Sequence, residues 1–253
     1  MNFHLLNRRP DAVYRAFFAY AVSRFVDNLI INEFPKSGGT WLRRMLSAAT
    51  GMSIWGPETP LSERTIIHGH YLHTALLRSP IVVWRDGRDV MVSWYHHCFL
   101  RPDDRSRRLN QMIGTAYKFD DPEDVGANMA RFIEYSFTRP VYPRFTWSAF
   151  VDRWAHRPNA HHVHYEDLNT NTAQTLGTLL GDIGCELTES RLNEVVDAFS
   201  FQRVTGRAPG VEDKAAFMRK GIVGDWKNYF DEAAISAFEH YAGAHNRRLG
   251  YED

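Results

Sequence analysis

Cysteine is scarce: the 253 residues hold two, Cys98 and Cys185, far apart in the chain. Two scattered thiols exclude a disulfide framework and fit a reducing compartment. Net charge is missing as well, because thirty basic side chains balance thirty acidic ones. A general affinity for nucleic acid or an anionic membrane therefore has no basis, and any anion site must be local. No apolar run approaches bilayer length, and the first residues lack the pattern of a signal peptide, so a cytoplasmic protein without membrane insertion is expected. Internal repeats and low-complexity tracts are absent too. With 44% hydrophobic residues the chain can fill one substantial core, and residues 1–253 read as a single domain.

What is present centres on LIINEFPKSGGTWLRRML, residues 29–46. Leu29, Ile30 and Ile31 form an apolar run that continues to Phe34 and stops at Pro35, which lacks the N–H a strand ladder needs. Lys36, Ser37, Gly38, Gly39 and Thr40 follow. Two glycines let successive N–H groups turn into one concavity, and hydroxyls and an ammonium add donors, which makes a nest for an anion. Trp41, Leu42, Met45 and Leu46 then recur at helical spacing, so a helix N-terminus faces the same anion. Lys36 precedes both glycines, whereas GxxxxGK[ST] places its lysine after the last one, so this is not the loop of an ordinary NTPase.

Residues 12–26 read as an amphipathic helix, 65–70 and 80–84 as strands, 89–98 as a helix, and RPDDRSRRLNQ from Arg101 as a charged loop or lid. Helices are expected over 128–137, 145–155, 168–183, 189–199 and 231–248, with a strand at 161–165 and a mobile surface loop over TGRAPGVEDK. Strands alternating with helices predict a three-layer α/β/α fold with a central, mostly parallel sheet, the layout of P-loop NTPases, in which ligands sit at the carboxyl ends of strands.

Two further stretches carry anion chemistry. In VVWRDGRDVMVSWY, Arg85 ends a strand and Ser93 lies one turn beyond a helix start at Asp89; a guanidinium and a hydroxyl suit one phosphate, while Arg88 pairing with Asp86 or Asp89 would merely knit the turn. In FMRKGIVGDWKNYF, Arg219 and Lys220 stand beside Gly221, a cationic pair next to a residue free to take positive φ.

FPKSGGTW, RDGRDVMVS and RKGIVGDWKN, in this order, resemble the three cofactor motifs of sulfotransferases that use 3′-phosphoadenosine 5′-phosphosulfate (PAPS), and the resemblance is closest to their cytosolic-type branch. It implies that Lys36, Ser37, Gly38, Gly39, Thr40 and Trp41 hold the 5′ end of the cofactor. It also implies that Arg85, Ser93, Arg219, Lys220 and Gly221 grip the 3′-phosphate, and that Tyr165 and Phe201 lie near the adenine. His70, in IIHGH, matches the family's general base, and Lys36 would neutralise the oxygen that departs with the product PAP. The chain departs from the pattern at Gly39, at Phe199 and at His68, where many relatives have a larger or hydroxyl residue, a threonine and a lysine.

Sulfuryl transfer needs an in-line acceptor, a stabilised leaving phosphate and a base, but neither a metal nor a covalent enzyme intermediate. His68 and His70 share a strand face, yet no carboxylate or cysteine cluster completes a site, so no metal is expected. Glu33 is odd in an apolar strand; it is expected to point away from the site, with the role of alternative base left open. The acceptor is expected to be a small-molecule hydroxyl or amine in a pocket lined from 54–61, 95–117 and Phe132, Tyr135, Phe137, Tyr142 and Trp147. Oligomeric state stays open, because DEAAIS stands where relatives carry a dimerisation pattern. A nucleotide-dependent phosphotransferase and a silent binder of 3′,5′-bisphosphorylated adenosine are the competing readings.

Overall fold

The computed structural model describes residues 8–101, 107–214, 216 and 218–252. The chain divides into two compact units, one from residues 1–33, 38–83 and 157–199 and the other from 34–37, 84–156 and 200–253.

A central sheet of five strands is flanked by helices, in the order β2 (Ser53–Ile54), β3 (Thr65–Gly69), β1 (Leu29–Glu33), β4 (Ile81–Trp84), β5 (His161–His164). β1 runs parallel to β3, with Ile31 opposite His68, and parallel to β4, with Glu33 opposite Val83. Both neighbours of β1 are strands, which is why Ile30, Ile31, Asn32 and Glu33 are all buried: a central parallel strand is covered on both faces. Alternation along the strands sends Ile31, Ile66, Ile81, Val83 and Val163 to one face, where they meet Leu42, Met45 and Leu46 of α2 (Gly39–Thr50) and Leu176, Leu179 and Leu180 of α8 (Thr172–Asp182). Each such fully buried side chain contributes roughly 1.5–3 kcal/mol. α1 (Arg8–Tyr20) buries Phe18 and Ala19, with Phe18 edge-on to Trp55 at 5.8 Å.

In the other unit, α3 (Gly87–Tyr95) starts on the Asp86 cap and ends in a π turn, His96–Leu100. α5 (Val125–Thr138) and α6 (Trp147–Trp154) begin on capping side chains, Asp124 and Thr146. Tyr95, Phe99, Tyr117, Phe119, Phe132 and Tyr135 pack ring against ring. Phe132 and Tyr135, expected to line an acceptor pocket, are thus part of an aromatic core, and Trp147 is buried as well.

Other expectations need correction. The charged stretch after Arg101 contains a helix, α4 (Arg107–Ala116), whose Ile113 is buried; residues 102–106 lie outside the described residues. The helix over 168–183 is two, α7 (Tyr165–Thr170) and α8, separated at Asn171, whose φ of −130° and ψ of 51° leave the helical region. The terminal helix carries a π turn at Glu239–Gly243 between α11 (Glu232–Phe238) and α12 (Ala244–Arg248). Within the loop after Thr205, Arg207 donates to the carbonyls of Val211, Met218 and Arg219.

Candidate active site

Between β1 and α2 the backbone takes two left-handed steps, at Lys36 (φ 77°) and at Gly38 (φ 109°). The first is uncommon for a side-chain-bearing residue and is the kind of local strain found where a loop must present its N–H groups. Gly38 caps α2, accepting from the N–H groups of Trp41 and Leu42. A Cβ on Gly38 would lie 2.6 Å from the Tyr165 ring, so the glycine permits both the turn and the close approach of that ring. Tyr165 sits edge-on to Trp41 at 6.1 Å, and the Trp41 indole N–H donates to the Phe199 carbonyl at 2.8 Å. Trp41 thereby joins the Tyr165 ring and the Phe199 main chain, drawn from distant stretches of the sequence.

Glu33 corrects the expectation most sharply. Its buried carboxylate accepts from the Gly39 N–H at 2.5 Å and from His68 Nε2 at 2.9 Å, so it turns into the loop rather than away from it. The physical reason is that a buried carboxylate needs donors, and the first free N–H of α2 and an imidazole supply them. Burial pushes the Glu33 carboxyl up, but the His68 hydrogen bond, the nearby histidines and the Gly39 N–H outweigh it and hold it below the usual range. His70 Nδ1 lies 2.9 Å from the Glu33 main-chain carbonyl. A carbonyl only accepts, so Nδ1 carries the proton and Nε2 is the basic nitrogen. Burial and then the charge of His68 push His70 down to about 4, so its imidazole is neutral at pH 7. The donor atoms of Glu33, His68 and His70 lie within 4.8 Å of one another, so a carboxylate does complete a histidine cluster, contrary to expectation.

The second motif splits by role. Arg88 is structural: it chelates the Asp86 carboxylate, donates to the Glu252 carbonyl and stacks over Trp226 at 4.1 Å. Arg85 instead reaches the Lys36 carbonyl at 3.2 Å and lies 3.7 Å from the Asp89 carboxylate. Asp89, expected from the sequence only to knit the turn with Arg88, also accepts from the N–H groups of Gly224 (2.8 Å) and Trp226 (2.9 Å). Burial raises its carboxyl above the ordinary range in spite of Arg85 and these two donors. One carboxylate thereby ties the second motif to the third.

In the third motif Arg219 and Lys220 both pair with the buried Asp225, and Arg219 also with Glu212. Gly221, at φ 64°, leaves room for the Phe201 ring, which a Cβ would overlap. Lys36, Ser93 and Arg219, one from each motif, line a narrow recess together with His96, His97 and Lys214.

A parallel sheet with a glycine loop and a helix N-terminus after its central strand is the layout of a phosphate-binding α/β protein. Residues 58–250 match the sulfotransferase domain family, and the chain belongs to that family. Sulfotransferase 6B1 of Danio rerio is 26% identical over 242 residues, 82% of this chain and 74% of the relative. Sulfotransferase 1B1 of Mus musculus is 25% identical over 261 residues, 84% and 80% of the two chains. The crystal structure of mouse sulfotransferase SULT7A1 complexed with PAP superposes with a TM-score of 0.65 at 19% identity over 89% of each chain, a likeness of fold. Among the described residues no helix is long and apolar enough to cross a membrane.

Proposed function

We propose that this sulfotransferase takes its sulfuryl group from PAPS and delivers it to a hydroxyl or amine of a small-molecule acceptor, with His70 as general base. One sulfotransferase domain spanning 1–253 is part of the proposal, because each compact unit is assembled from three separate segments of the chain and neither is a continuous piece. The residues suit such a donor. Gly38 lets the Tyr165 ring close on the loop where a Cβ would clash, and the recess holding Lys36, Ser93 and Arg219 gathers cations where a phosphate needs them. When bound, PAPS supplies an activated sulfuryl group with a bisphosphorylated leaving group. Lys36, Ser37, Gly38, Gly39, Thr40 and Trp41 would hold its 5′ end, and Tyr165 and Phe201 would flank the adenine. Arg85, Ser93, Arg219, Lys220 and Gly221 would hold the 3′-phosphate.

The observation that carries the reading is the orientation of His70. Its Nδ1–H is fixed on the Glu33 carbonyl, and its Nε2 stays unprotonated at pH 7, ready to accept the acceptor's proton. Lys36 would neutralise charge growing on the leaving oxygen. His70→Ala should lower turnover of PAPS with an acceptor by roughly 10²–10⁴ and leave binding of adenosine 3′,5′-bisphosphate unchanged, as read by parallel turnover assays and calorimetry. Turnover within tenfold of wild type would remove His70 from the role of base.

A further inference from the structure

His96 opens the π turn after α3 and is only 3% exposed, yet among the described residues neither ring nitrogen has a hydrogen-bond partner. Buried polar atoms are nearly always paired, so two orphans on one imidazole demand a reason. The place supplies one: the ring lines the recess that also takes Lys36, Ser93, Lys214 and Arg219. Arg219 and Lys220, the donors expected to dominate there, already donate to Asp225 and Glu212. The Tyr229 ring lies edge-on to the imidazole at 5.4 Å and holds it in place without satisfying it.

Resting on the donor site proposed above, we infer that His96 is a direct ligand of the phosphate monoester bound in this recess, donating a ring N–H to it beside the Ser93 hydroxyl. Cations gathered around an unsatisfied imidazole are an arrangement that an entering anion completes, since it accepts from the ring and offsets the surrounding charge. Burial and then the charge of Arg219 push the imidazole down to about 4, so at pH 7 it offers one N–H. On this account the ring is kept for the ligand and not for the fold.

The test is calorimetry at pH 7.5 with adenosine 3′,5′-bisphosphate and with 5′-AMP, on wild type, His96→Phe, His96→Gln and Ser93→Ala. His96→Phe should weaken the bisphosphate by roughly ten- to a hundredfold, leave 5′-AMP within twofold, and melt at or above the wild-type temperature, because a phenyl ring keeps the Tyr229 contact and removes two orphan nitrogens. His96→Gln, which keeps an N–H, should fall between, and decides the matter if His96→Phe does not fold. Full bisphosphate affinity in both variants, or an equal loss for both nucleotides, would overturn the assignment. If Ser93→Ala loses affinity while the His96 variants do not, the donor site stands and the inference about His96 fails. Wild type that binds the two nucleotides alike would sink the donor site itself.

Discussion

Replacing Gly39 by alanine isolates the contact that most distinguishes this loop. Gly39 has no left-handed φ to protect, so alanine meets no backbone strain there. The obstacle is space: the new Cβ would lie 2.8 Å from Glu33 Cδ, and 2.9 Å from both Glu33 Oε2 and His68 Nε2. These atoms are pinned, because the carboxylate is held by the Gly39 N–H and by His68. Relief requires the carboxylate to leave one donor, and a charge-assisted bond of this kind is worth about 1.5–3 kcal/mol, with more lost if the buried charge is stranded. Gly39→Ala should therefore destabilise by about 3 kcal/mol, which in a chain of this size lowers Tm by roughly 6–12 °C. In a Glu33→Ala background the methyl enters vacated space, so the two penalties should fall short of additivity by about 2 kcal/mol. Thermal melts of the four proteins measure this. A Gly39→Ala protein that melts within 2 °C of wild type, or penalties that simply add, would show that Glu33 does not fill the loop.

The remaining predictions concern acid and the Asp89 clasp. His70 and His96 are both held near 4 against an ordinary 6.5. Between those values the unfolded chain binds protons that the native state refuses, so stability is full above pH 6.5 and falls as pH drops, by about 2 kcal/mol per histidine at pH 5. Urea titrations at pH 7.5 and 5.0 should show this loss, smaller by about that amount in His96→Phe; equal losses would refute it. Asp89→Asn leaves one oxygen for two N–H groups and removes the charge facing Arg85, and should cost about 2 kcal/mol while weakening the bisphosphate. Unchanged melting and affinity would mean that Asp89 does not fasten the third motif.

Much of the sheet was legible in the sequence because apolar runs over 29–31, 66–67 and 81–84 leave few alternatives to strands buried on both faces. β2 was not, since two exposed residues carry no period. α4 was hidden by its charge: one buried residue, Ile113, in a stretch of arginines is too thin a stripe to read. The glycine loop, Arg85, Ser93 and the RKG stretch could be read because each motif is local. Glu33 and Asp89 could not, because their partners lie in other stretches: His68 is 35 residues away, and the Gly224 N–H 135. A carboxylate in an apolar run signals that some donor exists, not which one. Lys36, Ser93 and Arg219 share a recess through the same long-range geometry, and that geometry also exposed His96, whose neighbours in sequence say nothing of its missing partners.

The most direct test of the donor site is a titration of wild type and Arg85→Ala with adenosine 3′,5′-bisphosphate, 5′-AMP and magnesium ATP. The account predicts binding that requires the 3′-phosphate, with a loss in Arg85→Ala for the bisphosphate alone. Magnesium ATP binding as tightly as the bisphosphate, or a bisphosphate affinity indifferent to Arg85, would contradict it and turn attention to phosphoryl transfer.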